Sequence, residues 1–176
     1  MYPSELPAAG AHPGHGDRDF RGRYAGLIEF VPALPAHIPA VVADLRPEDA
    51  ATLRACAAEP VAAFTELLAR SLHAGTALID GEPVAMWGAA ADSFIGAERA
   101  HVWLVISGRV DRPAHTVGRG AKAFIRAMQG QYGRLTTTAA AGLVGDQWFL
   151  AWLGFRRASA SDRRIGGALF LGFEKG

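Results

Sequence analysis

The sequence predicts one mixed α/β (α+β) domain, a central sheet flanked by about four helices, behind an extended N-terminal arm. Three observations predict it. Residues 1–39 hold Pro3, Pro7, Pro13, Pro32, Pro35 and Pro39 among Gly10, Gly14, Gly16, Gly22 and Gly26, a density that interrupts helices and sheet ladders. From Ala40 to the end, apolar residues recur at alternating strand and helix spacings. The 176 residues suit one domain with a tail, and with half of them hydrophobic the chain can bury a core.

The elements follow in order. Within the arm, Phe20–Val31 can form one short strand. Val41–Leu45 (VVADL) reads as the first strand of the domain. Arg46-Pro47-Glu48-Asp49 opens a helix to about Ala58, with proline in the first turn and acids at the positive end of the dipole. Pro60 starts a second helix in which Val61, Phe64, Leu67, Leu68 and Leu72 share a face. Thr76–Asp80 and Glu82–Gly88 bracket Asp80-Gly81, a hairpin signal. Ala100–Ser107 (AHVWLVIS) is continuously apolar and suits the sheet centre. Residues Pro113–Tyr132 end in a helix with Ala121, Phe124, Ile125, Met128 and Tyr132 on one face. Arg134–Ala140 is a strand, and Asp146–Leu153 a short helix stopped by Gly154. Strands at about Arg156–Ala160 and Ala168–Glu174 are joined by the basic turn Ser161–Gly167. The order is β-α-α-β-β-β-α-β-α-β-β. A ferredoxin-like sandwich has fewer elements and no paired helices after its first strand.

Composition excludes several classes. With 18 basic and 17 acidic side chains, net charge +1, nothing draws the chain strongly to nucleic acid or acidic membranes. No apolar run approaches the ~18–20 residues of a membrane span, and Met1–Gly16 lacks the pattern of a secretory leader. Cys56 is the only cysteine, so no intrachain disulfide or multi-cysteine metal site is possible. Between Ala55 and Ala57 it reads as a small buried hydrophobe. His12, His15 and Asp17 lie close together, but nothing holds them as a metal site. Arg156, Arg157, Arg163 and Arg164, with Arg134, read as a solvated charged hairpin. Trp148 and Trp152 share a helix face and, with Trp87 and Trp103, read as core.

The segment His115-Thr-Val-Gly-Arg-Gly-Ala-Lys122 carries the chemistry. It follows the central strand and opens a helix, where Gly118 and Gly120 let backbone approach an anion and free N–H groups favour a phosphate. Arg119 and Lys122 add charge. The plain alternative is a glycine-rich turn with no ligand. The segment resembles the coenzyme A pyrophosphate loop of GNAT acetyltransferases, (Gln/Arg)-x-x-Gly-x-(Gly/Ala), with His115 at the Gln/Arg place. Leu45-Arg-Pro-x-Asp49 looks like that family's opening step, and Phe149-Leu-Ala-Trp-Leu-Gly-Phe155 like its last helix and closing Gly-Phe. The likeness spans about residues 40–175. It implies a cofactor site of His115, Val117, Gly118, Arg119, Gly120, Ala121 and Lys122. The family's tyrosine acid corresponds to Leu150, which cannot donate a proton. Glu82, Glu98 and His101 are candidate bases only by proximity, so no catalytic residue is assigned.

A narrower resemblance covers about residues 76–156. Val102-Trp-Leu-Val-Ile-Ser107, its following loop and basic helix, and Phe149-Leu150 ahead of Leu153-Gly154-Phe155, are similar to the internal virion protein A-like proteins of short-tailed bacteriophages. Leu143 and Asp146 depart from that family's Asn and His. The resemblance implies a virion-associated structural or assembly protein with a degenerate acetyltransferase-like fold, in the virion or the host cytoplasm. It would dock to other virion proteins or copies of itself through the arm, with Phe20, Tyr24 and Phe30 as anchors and no need of a cofactor. Packing of those aromatics back onto the domain's own sheet edge is the alternative for the anchors. Two other functions remain open: an active N-acetyltransferase using acetyl-CoA, and a host-directed binding module.

Overall fold

The computed structural model describes residues 28–56, 59–91, 96–110 and 115–176, with nothing to be said of the His115 and Thr116 side chains. Phe20 and Tyr24, and the His12, His15, Asp17 group, lie outside the described residues. An eight-stranded sheet in the order β1-β2-β3-β4-β5-β8-β6, with β7 also on β8, forms the frame. Its strands are β1 (Ile28–Pro32), β2 (Ser71–Ile79), β3 (Glu82–Ala91), β4 (Arg99–Ile106), β5 (Arg134–Ala140), β6 (Arg156–Arg157), β7 (Arg163–Ile165) and β8 (Ala168–Lys175). Five helices accompany them: α1 (Ile38–Ala43), α2 (Pro47–Ala55), α3 (Pro60–Ala69), α4 (His115–Tyr132) and α5 (Val144–Trp152). No helix among the described residues is long and apolar enough to cross a membrane.

Local chemistry explains the turns. Asp80 and Gly81 take φ of 53° and 81°, the paired left-handed geometry of a tight hairpin joining β2 to β3. Glu59 accepts from the Ala62 N–H at 2.9 Å and so caps α3. Gly154, at φ 90°, ends α5 in the conformation that glycine adopts without strain.

Three core clusters pack on the sheet, the two largest on opposite faces. On one face, Ile38 and Val41 of α1 pack with Met86, Trp103 and Val105, and α3 adds Phe64, Leu67 and Leu68. On the other, Ile125, Met128 and Tyr132 of α4 meet Leu135, Ala139, Leu153, Phe155 and Phe173. Leu135 and Ile38 are fully buried, a transfer worth about 1.5–3 kcal/mol for each side chain. The exception is α2, none of whose residues joins a core cluster.

Three expectations need correction. Val41–Leu45 is not a strand: Ile38–Ala43 is helical, because Ile38 and Val41 lie one turn apart and bury together. Only Leu45 retains a strand-like bridge, to Ser107. Residues 28–39, assigned to the arm, already supply β1 and the start of α1. The basic turn Ser161–Gly167 contains β7, which pairs Arg163 with Phe170 and Ile165 with Ala168.

Candidate functional site

β4 is the middle strand and runs parallel to β5, but the two pair only at Arg99–Arg134, Ala100–Leu135 and His101–Thr136. From Val102 onward they part, while β4 keeps its ladder to β3 as far as Ile106. A wedge opens in the sheet, and α4 and α5 lie over it. What remains of the wedge is an apolar cavity of about 70 Å³. Val117, Gly120, Ala121 and Phe124 of α4 face Phe149, Leu150 and Leu153 of α5 across it, with Leu104, Thr137 and Phe30 completing the wall.

The expected cofactor residues divide along the first turns of α4. Val117 is buried and lines the cavity with Gly120 and Ala121. Arg119 points outward and is exposed. Lys122 places its ammonium 4.8 Å over the Trp152 ring. Gly118 and Gly120 are the fourth and sixth residues of the helix, so the unpaired N–H groups are those of His115–Val117, one turn earlier. Each glycine has one of the chain's own rings at ordinary contact distance from where a Cβ would stand. A methyl on Gly118 would meet Trp152 at 3.5 Å, and one on Gly120 would meet Phe30 at 3.4 Å.

Phe30, expected as a partner anchor, is 36% exposed on β1 and meets Trp87 edge-on with centroids 5.8 Å apart. Of the tryptophans expected in the core, Trp103 is buried, but Trp148 is 73% exposed and Trp152 49%. The turn of α5 that carries them faces away from the sheet, since Phe149, Leu150 and Leu153 take the inward positions. Glu82, Glu98 and His101 do not line the cavity. Leu150 does, presenting no proton donor.

Sequence reasoning missed two polar clusters, around Arg46 and around Asp44. Arg46, just ahead of α2, donates to Asp49 at 2.6 Å and to Asp146 of α5 at 3.1 Å. Burial pulls the Arg46 pKa down, but the bonds and charges of Asp49 and Asp146 outweigh it and hold it above its ordinary value. Burial pushes Asp49 above the usual carboxylate range, with Arg46 opposing. Ser107, buried at the end of β4, donates to Asp44 at 2.9 Å, as does Arg109. These ties pin the segment between α1 and α2 to the exit of β4. Their signal was an alternation of Asp and Arg at residues 44–49, legible only once the fold brings Ser107 and Asp146 alongside. Cys56, half-buried beyond α2, has its thiol pushed up by burial, against a nucleophilic role. Among the described residues no group of three or more His, Cys, Asp or Glu is placed to hold a metal.

No family model and no curated protein sequence matches the chain. Solved structures do. An acetyltransferase from Thermus thermophilus aligns with a TM-score of 0.58 at 20% identity, covering 84% of this chain and 96% of that one. A ribosomal-protein-alanine N-acetyltransferase from Brucella melitensis aligns at 0.58 and 13% identity, covering 84% and 98%. A GnaT-family chain from Bordetella pertussis aligns at 0.60 and 18%, covering 84% and 94%. The fold is that of the GNAT acetyltransferases. In this GNAT fold the parting of β4 from β5 and the start of α4 lie side by side, the place to which the sequence resemblance assigns coenzyme A. The cavity among the described residues, about 70 Å³, is smaller than the ~300–1,000 Å³ usual for a ligand pocket.

Proposed function

We propose that this chain keeps an acetyltransferase fold without coenzyme chemistry and works by docking to other proteins of an assembly. The setting implied by the sequence resemblance is the virion of a short-tailed bacteriophage, with Phe20 and Tyr24 as anchors for other virion proteins. The observation that carries the non-catalytic part is Leu150 in an apolar cavity wall, at the position where the resemblance expects a tyrosine acid. β1 and α5 line the wedge on either side and leave about 70 Å³ between them. Acyl transfer from a thioester needs an acid for the departing thiolate. The cavity wall offers Leu150 at the relevant turn and one hydroxyl, that of Thr137.

Calorimetric titration of the full chain with acetyl-CoA tests this. No heat is expected up to millimolar ligand. Micromolar binding that is lost in Gly120→Leu would overturn the proposal in favour of an active N-acetyltransferase using Val117–Lys122 as its phosphate cradle.

A further inference from the structure

Helix α5 carries apolar side chains on its outer face as well as its inner one. Its polar side chains are tied inward: Asp146 accepts from Arg46 at 3.1 Å, and Gln147 donates to the Ala141 carbonyl at 3.0 Å. Its exposed residues are all apolar, namely Val144, Gly145, Trp148, Ala151 and Trp152. The three large ones are 59%, 73% and 49% exposed. Counted from Trp148 they stand at −4, −3, 0, +3 and +4, so they form one stripe along the helix. A contiguous apolar stripe centred on tryptophan marks a contact surface, because such patches are rare on solitary folded chains and tryptophan is the commonest interface anchor.

We infer that a second copy of this chain docks here, α5 against α5 across a twofold axis at Trp148. The pattern itself selects that occupant. A twofold axis sets position −4 against +4 and −3 against +3, which a surface must satisfy with its own residues. In α5 this opposes Val144 to a tryptophan and Gly145 to an alanine, with Trp148 meeting its own copy at the axis. Charge obeys the same symmetry. At the N-terminal end of the stripe Asp146 and Asp49 share the single guanidinium of Arg46, which leaves that end a net acid, while Lys122 lies 4.8 Å over Trp152 at the C-terminal end. An antiparallel pair brings each acidic end to the other's basic end and opposes the helix dipoles favourably. A stable interface takes about 800 Å² from each partner, so α5 supplies the centre and the neighbouring exposed side of α4, with Arg119, supplies the rim. The inference rests on the exposed face of α5 and holds whether or not coenzyme A binds.

Sedimentation equilibrium of the full chain across micromolar concentrations tests it. A dimer is expected, with Trp148→Glu weakening it at least ~30-fold. Ala151→Glu, which keeps both tryptophans, is expected to weaken it comparably, and Arg164→Glu on the far hairpin to leave it unchanged. An unaltered circular dichroism spectrum checks that the variants fold. A chain monomeric at every concentration overturns the inference, as does a dimer indifferent to both α5 variants. A monomer whose Trp148 fluorescence is shielded from iodide also overturns it, and assigns the stripe to the chain's own residues 1–27.

Discussion

A methyl group on Gly88 would arrive 2.7 Å from the indole of Trp103, and one on Gly75 would come 2.6 Å from that of Trp87. Each glycine stands directly opposite its tryptophan in the ladder, so the two indoles lie flat across neighbouring strands. Neither ring can retreat cheaply. Trp103 donates to the Ser71 hydroxyl at 2.9 Å and packs on Phe64, while Trp87 is met by Phe30. Gly88→Ala and Gly75→Ala are each expected to cost about 1–3 kcal/mol, read as a lowered denaturant midpoint at unchanged slope. Two carboxylates carry opposite pH signatures. Asp162 is held below its ordinary 3.8 by the hydrogen bond from Arg157 and the Gly172 amide. Its contribution is therefore complete above that value and fades as pH falls through the lowered one, so Asp162→Asn should flatten the acid limb of the stability curve. Asp49 is raised by burial, so its contribution is present below 3.8 and is lost as pH rises through its folded value. Asp49→Asn is accordingly expected to leave the melting temperature at neutral pH unchanged or higher, with Arg46 keeping its bond to Asp146.

At the scale of elements, α2 stands apart because none of its residues packs into a core cluster. It is held at its ends. Arg46 ties its start to α5, and the Gly167 N–H donates to the Ala55 carbonyl at 3.2 Å, tying its end to the β7–β8 turn. Gly166, at φ 57°, leaves no space for a Cβ against that carbonyl. Arg46→Ala and Gly166→Ala are both expected to speed hydrogen exchange in α2 while β2–β4 amides keep their protection; equal acceleration throughout would show a global effect instead. Legibility in the sequence also divides by element. The Asp80-Gly81 hairpin, the Ala100–Ser107 strand and the amphipathic α4 announce themselves through turn chemistry and periodicity. Val41 and Val42 do not, because a short β-branched run suits a strand or a buried helix alike, and only the contact with Met86 and Trp103 decides between them. β7 was hidden for another reason: three residues, all exposed, carry no pattern.

For the whole molecule, the sequence reads the glycine-rich segment as the start of a helix after the middle strand, which is where it lies, yet it does not reveal what covers it. Phe30 and Trp152 reach Gly120 and Gly118 from 90 and 34 positions away, as their numbering shows, and no local spacing records such contacts. The same limit hid the outward turn of Trp148. Its i+4 partner says only that the two share a face, and which face is set by how Phe149 and Leu153 settle into the core.

The short seam between β4 and β5 has a mechanical consequence. Every other neighbouring pair in the sheet is antiparallel, so two half-sheets, β1–β4 and β5–β8, are stitched along three residue pairs and otherwise joined through α4, their shared core and the ties of α2 to α5 and to the β7–β8 turn. Pulled apart from Ile28 and Lys175, the protein would tear along this line, each half keeping its own ladder after the join has failed.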